Sequence, residues 1–380
     1  MRIARGADEA RNTVLRRADL EAGELPASVR QEIRRVFGDE LSVAAVVDRV
    51  LNDVWAEGDA AVLRYNQDID GVHGSLADVA LEVNPSEVEE AYERVEAEVV
   101  AALRFASGRI EEFHRRQLDH SLRSFREKGL GQEVRPLERV GVYVPGTVAV
   151  YPSTALMTAI PAKVAGVREV IMLTPALEDA SVSPLKLVAA HIAGVDRVFR
   201  AGGVQGIAAM AYGTESIHRV DKVCGPGNVF VTAAKKRVYG LVGIDGLFGP
   251  SETVVVADEG ADPSLLVADL LAAAEHDELA TAILITTSEE AATAALAELE
   301  SQLDGIERAA VARAALEARG GVAVADSLEE AIELANEFAP EHLCLHVRSP
   351  EQLLDRVANA GCVFLGSLAV ESIGDYAAGP

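Results

Sequence analysis

A carboxylate and an imidazole stand side by side at Glu341-His342, in the run Ala339-Pro340-Glu341-His342-Leu343. Imidazole has the side-chain pKa nearest neutrality, so His342 suits proton abstraction, while a neighbouring glutamate can orient water or take a second proton. The spacing of SLEEAIELANEF predicts a helix over 327–338, which Pro340 ends by biasing Ala339 out of the helical region. HLCLH then reads as a strand, with His342, Cys344 and His346 on one face and Leu343 and Leu345 on the other. On a strand His342 and His346 stand ~13 Å apart, too far to share an ion. Cys344 beside the pair invites a mechanism in which thiolate attacks an aldehyde, but its leucine flanks and the lack of an adjacent cation read as packing. A second imidazole, His276, falls in the last turn of the helix expected in ADPSLLVADLLAAAEHD, with Asp262 as N-cap and Pro263 at the first helical position. There it either joins the chemistry or complements the helix dipole.

The elements that must carry these groups fall into three stretches. Residues 1–118 show apolar spacings of three and four and read as a helical N-terminal region, in which His73, His114 and His120 have no partners at ligand spacing. From about 137, short β-rich runs (VGVYVP, REVIMLTP, DRVFRAG, RVDKVCG) alternate with helices near 153–166, 182–193 and 204–212. A second series follows in TVVVADE, TAILITTS, GVAVADS, HLCLHV and CVFLGS. Strand and helix in this rhythm predict an α/β fold with two doubly wound Rossmann-like domains built on parallel sheets, over 119–249 and 250–380. Ligands in such sheets bind at the carboxyl ends of strands, where the first domain places Gly202-Gly203 and Gly225-Pro226-Gly227-Asn228. Glycines there allow close backbone approach to a phosphate at a helix N-terminus; the other reading is tight turns, and no GxGxxG is present.

Composition narrows the partners. With 380 residues, 49% hydrophobic and 25% charged, the chain can bury a sizeable core. A formal charge of -25 with no basic block excludes a nucleic-acid partner and mildly favours a small cationic substrate. The N-terminus lacks an apolar h-region and no apolar run reaches the ~18 to 20 residues of a membrane span, so a cytoplasmic protein is expected. Cys224, Cys344 and Cys362 lie far apart and form no CxxC, as for reduced thiols.

Six strings, VGVYVPGTVAVYPSTALM, RAGGVQGIAAMAYGTESIHRVDKVCGPGNVFVTAAKKRV, GIDGLFGPSE, DLLAAAEHD, NEFAPEHLCLH and FLGSLAVESIGDYAAGP, occur in this order. Together they resemble the histidinol dehydrogenase family over almost all of residues 50–380. The resemblance implies a zinc-dependent enzyme of the last steps of histidine biosynthesis, which oxidises L-histidinol through an aldehyde to L-histidine with two NAD. It also implies a homodimer whose C-terminal tail reaches into the other subunit. On the matching positions, Glu341 and His342 take the catalytic pair, Tyr143, Gln205 and Asn228 contact NAD, and Ser251, His276, His342 and Asp375 contact substrate. His276 and Asp375 also match zinc ligands. Two departures stand out. Where the family has QAEH, this chain has Ala273-Ala274-Glu275-His276, so a methyl group replaces a ligand expected one turn before His276 on the same face. The family pattern also continues past Gly379-Pro380 into an NHVLPT-like segment and a tail with another zinc histidine and a substrate-binding glutamate. These departures keep two rivals open: a related dehydrogenase for another polar alcohol, such as a sulfonated diol, and a non-catalytic NAD-binding or dimerising remnant.

Overall fold

The computed structural model describes residues 1–17, 27–72, 80–146, 150–374 and 376; His73 and Asp375 lie outside the described residues. The chain opens on a short strand, β1 (Arg2–Arg5). It then builds one unit from residues 25–249 and returns to complete the unit begun by β1 with residues 250–374.

The first of these units contains a two-stranded antiparallel hairpin, β2 (Phe125–Glu127) and β3 (Leu130–Gln132). Its main sheet is formed by β4 (Arg139–Tyr143), β5 (Glu169–Thr174), β6 (Arg197–Arg200), β7 (Lys222–Cys224) and β8 (Gly243–Ile244). All pairings are parallel, in the order β6-β5-β4-β7-β8. Alternate strand residues enter different cores. Ile171 and Leu173 meet the helices Val43–Glu57, Gly203–Tyr212 and Val229–Val238, whereas Val140, Val142, Val170 and Met172 meet Ala97–Asp119, Pro152–Val164 and Pro184–Ile192. A parallel sheet covered on both faces explains why its strands read as nearly continuous apolar runs. The helices from Ala27–Phe37 to Ala97–Asp119 are therefore part of this unit's cover and do not form a separate region, whereas Ala7–Asn12 buries Ala10 in the other unit.

The other unit holds β9 (Glu252–Ala257), β10 (Thr281–Thr286), β11 (Gly321–Val324), β12 (His342–His346) and β13 (Cys362–Leu365). With β1 they make a six-stranded parallel sheet in the order β1-β11-β10-β9-β12-β13. Val255 and Ala257 face one core and Val254 and Val256 the other. The strand at Arg2–Arg5 departs from the helical expectation for the N-terminus: at four residues with an arginine at each end it carries too little apolar pattern to be read, and the open edge of β11 supplies its hydrogen bonds.

Candidate active site

Glu341 and His342 come off the end of the helix Leu328–Phe338, which stops as the spacing predicts. Ala339 does not become extended, however. It adopts the left-handed conformation, φ 55, ψ 64, which an alanine rarely holds without support. Arg17 supplies that support. Its guanidinium donates to the Phe338 carbonyl at 2.8 Å and the Ala339 carbonyl at 3.0 Å, and forms a bidentate pair with Glu252 at 2.5 and 2.6 Å. It also lies 4.6 Å from the centroid of the Phe338 ring. The backbone N–H of Glu252 in turn approaches the Glu341 carboxylate at 3.4 Å. Ser251, the residue before, is half-buried, and its carbonyl accepts from Thr281 N–H at 2.9 Å.

His342 is the first residue of β12, registered against Thr253 of β9 and Cys362 of β13. The candidate pair is thus placed where the strands of this unit begin, opposite to the carboxyl-end rule for open sheets. Nδ1 of His342 lies 3.0 Å from Oε1 of Glu371, a residue the sequence reading did not single out. Thr253 Oγ1 donates to the other Glu371 oxygen at 2.8 Å. Burial works to raise the Glu371 carboxyl, but His342, Thr253 and the nearby His276 outweigh it and hold its pKa below the usual carboxylate range. Glu341 moves the other way: burial raises its pKa despite the pull of His342 and the Glu252 amide. Two glutamates near one histidine thus have opposite shifts, as expected of groups with different roles.

Cys344 is fully buried in the middle of β12. Burial and the adjacent Asp269 push its thiol far above the ordinary range, so the nucleophile reading has no thiolate to draw on. His346, at the far end of the strand, bonds through Nε2 to Asp269 at 2.7 Å in a buried pair. It is separated from His342 by the strand's length, as the sequence spacing requires.

Of the two expected zinc ligands, only His276 lies among the described residues. The helix Pro263–Ala274 starts on Asp262 as predicted but ends two residues before His276, which is exposed in the following turn. Ala273 is fully buried in the core, and the His276 N–H bonds back to its carbonyl at 3.3 Å, so the chain is still turning helically between them. Asp375 lies outside the described residues, and among these no group of three or more His, Cys, Asp or Glu side chains could hold a metal.

The positions matched to NAD contacts lie in the other unit, at the carboxyl edge of its sheet. Tyr143 ends β4, and its buried hydroxyl accepts from the Gly203 N–H at 3.1 Å, at the start of the helix Gly203–Tyr212. Gln205, fully buried in that helix's first turn, donates through Nε2 to Asp70 at 3.1 Å and Asn66 at 3.3 Å. Its Oε1 is buried without a hydrogen-bond partner among the described residues. An orphaned carbonyl beside a helix N-terminus fits a ligand that brings hydrogen-bond donors and an anionic group. Asn228 caps the helix Val229–Val238, accepting from Phe230 N–H at 3.1 Å and Val231 N–H at 3.2 Å. The turn before it is tight for a structural reason: a Cβ on Gly225, at φ 118, would lie 2.2 Å from the Tyr143 carbonyl oxygen. Lys235, almost fully buried, donates to the Gly225 carbonyl at 2.9 Å and pairs with Asp245, which holds the turn against β4. Sequence reasoning missed Asp70, Asn66, Glu371 and Arg17, because each acts across a long sequence separation.

A sequence profile of the family described as Histidinol dehydrogenase matches residues 34–380. The Histidinol dehydrogenase of Synechococcus sp. is 48% identical over 362 residues, covering 93% of this chain and 83% of the relative. That of Methanopyrus kandleri is 50% identical over 355 residues, covering 92% and 82%. The crystal structure of Histidinol Dehydrogenase from Elizabethkingia anophelis superposes with a TM-score of 0.88 at 34% identity, covering all of this chain and 83% of that one. A profile match over most of the chain, relatives near half identity and a shared fold agree: the chain belongs to the histidinol dehydrogenase family.

Proposed function

We propose that this chain oxidises L-histidinol through histidinal to L-histidine, using NAD, with Glu341 and His342 as the catalytic pair. The observation that supports this most is that His342, 3.0 Å from Glu371 and next in the chain to Glu341, has two neighbouring glutamates of opposite pKa shift, in a chain of the histidinol dehydrogenase family. Glu371, an acceptor when ionised with Oε1 3.0 Å from Nδ1, is placed to favour the His342 tautomer that carries its proton on Nδ1. Nε2 is then the nitrogen that takes the hydroxyl proton of the alcohol. NAD, when bound, accepts a hydride from the substrate carbon in each of the two oxidations. In the second, Glu341 draws a proton from the water that adds to the aldehyde, and His342 again takes the hydroxyl proton as the acid forms. Tyr143, Gln205 and Asn228 are the residues proposed to bind the cofactor, and Ser251, His276, His342 and Asp375 the substrate.

A homodimer is proposed with this activity. Phe105, Leu122 and Leu130, on and after the helix Ala97–Asp119, are 71%, 77% and 76% exposed, which supports a partner surface. A cytoplasmic location agrees with the absence, among the described residues, of any helix long and apolar enough to cross a membrane. The deciding experiment is NADH production by the purified chain with L-histidinol, with and without added zinc, beside a sulfonated diol and simple polyols. Two NADH per L-histidinol is expected; turnover of another polyol alone, or of none, overturns the proposal.

A further inference from the structure

The Gln205 carboxamide could sit in either of two orientations, and the groups around it allow only one. Asn66 Nδ2 donates to the Arg200 carbonyl at 2.7 Å, and a backbone carbonyl can only accept, so Asn66 turns its own oxygen toward Gln205. Asp70 presents a carboxylate to the same side chain. Both neighbours therefore accept, and Gln205 must offer them its NH2 group, as the 3.3 and 3.1 Å contacts show. Oε1 is left aimed the other way, buried and unpartnered. Glycines clear the space around these atoms. A Cβ on Gly202 would lie 2.6 Å from Asp70 Oδ2, and one on Gly203 2.9 Å from Gln205 Oε1.

We propose that Asp70, backed by Asn66, is a positioning residue that fixes the Gln205 carboxamide with its oxygen toward a donor group of the bound dinucleotide. This rests on the reading of Gln205 as a cofactor contact. Lys186 helps keep Asp70 an acceptor. Its buried ammonium, held by the Gly146 carbonyl and by Thr174 Oγ1 at 2.9 Å, attracts the carboxylate, against a burial that pushes Asp70 up to about 7. Asp70 touches no reacting atom in this arrangement; it acts through Gln205.

The test is a double-mutant cycle on the full chain: Gln205→Ala, Asp70→Asn and the pair, with NAD affinity by calorimetry, steady-state constants and thermal midpoints. Asparagine nearly matches aspartate in shape but brings a donor, so it permits the flipped amide. Each single variant is expected to weaken NAD binding about tenfold, and the pair no more than Gln205→Ala alone. KM for L-histidinol should not move. Asp70→Glu, which stays an acceptor, should recover most of the NAD affinity, and that recovery separates positioning from folding. Additive losses, or unchanged NAD affinity in Asp70→Asn while Gln205→Ala binds weakly, would overturn the proposal and leave the cofactor reading intact. Unchanged affinity in Gln205→Ala would overturn both.

Discussion

Nδ1 of His342 and Oε1 of Glu371 lie 3.0 Å apart, although 29 positions separate them along the chain. If His342 is the base, as proposed, a carboxylate at this place would orient the ring and stabilise the imidazolium formed when the alcohol proton arrives. Glu371→Gln removes the charge while keeping the shape. We expect kcat to fall by about 10²-fold or more for both oxidations with NAD affinity unchanged, by analogy with orienting carboxylates elsewhere. Stopped-flow measurement of each hydride transfer checks this, and a variant with full turnover removes Glu371 from the machinery.

Glu341 and His342 should separate by step. His342→Asn is expected to abolish both oxidations, whereas Glu341→Gln should chiefly slow aldehyde to acid. Burial raises the Glu341 pKa, so the carboxylate that activates water is lost on the acidic side at a higher pH than for an ordinary glutamate. The aldehyde step should therefore show an acidic limb above the usual carboxylate range, absent in Glu341→Gln. The same sign applies to stability. A folded-state pKa above the unfolded one favours folding at low pH and loses that contribution as pH rises through the raised value. At neutral pH Glu341→Gln should thus melt no lower than the parent, which a thermal scan at pH 5 and pH 7.5 can check.

Cys344 is placed for packing and its thiol is held protonated by burial. Cys344→Ala should keep most of the activity and lose about 1 kcal/mol of stability through the small cavity left. If the variant folds and binds NAD but makes no acid, attack by sulfur on the aldehyde returns as the mechanism.

Asn228 has two duties that one substitution would confuse. Its side chain caps the helix Val229–Val238, so Asn228→Ala should cost about 1 kcal/mol from the lost cap whatever happens to cofactor. Asn228→Ser keeps a capping oxygen and shortens the side chain. If the residue contacts NAD as proposed, the serine variant should retain the parent's melting temperature and still bind NAD several-fold more weakly; equal affinity by calorimetry would confine Asn228 to the cap.

The two sheets were legible in the sequence because parallel strands covered on both faces are short apolar runs, and the helices between them carry caps such as Asp262 and Ser327. Glu341-His342 was legible because adjacency needs no fold. His276 was expected in the last turn of its helix, but the helix ends at Ala274 and His276 is held to it only by the turn hydrogen bond to the Ala273 carbonyl. Glu371 carried no local signal. Its helix is three residues long, and its partners Thr253 and His342 are supplied by two strands adjacent only in the sheet. Asp70 and Asn66 escaped for the same reason: their partner Gln205 lies 135 and 139 positions away.

Arg17 shows what such distant contacts do for the catalytic pair. One guanidinium satisfies carbonyls at the end of the helix Leu328–Phe338, holds Ala339 in its left-handed turn and neutralises Glu252, whose N–H reaches Glu341. Lysine cannot reproduce a planar fork that spans a carboxylate and two carbonyls. The side chain is half exposed, so its ion pair contributes little to global stability. Its effect should appear instead in the placement of Glu341 and His342, where a displacement on the order of 1 Å can cost about 10²-fold in rate. Arg17→Lys is therefore expected to lower kcat for both oxidations far more than it lowers the melting temperature. A variant with normal kcat would show that the turn at Ala339 holds itself.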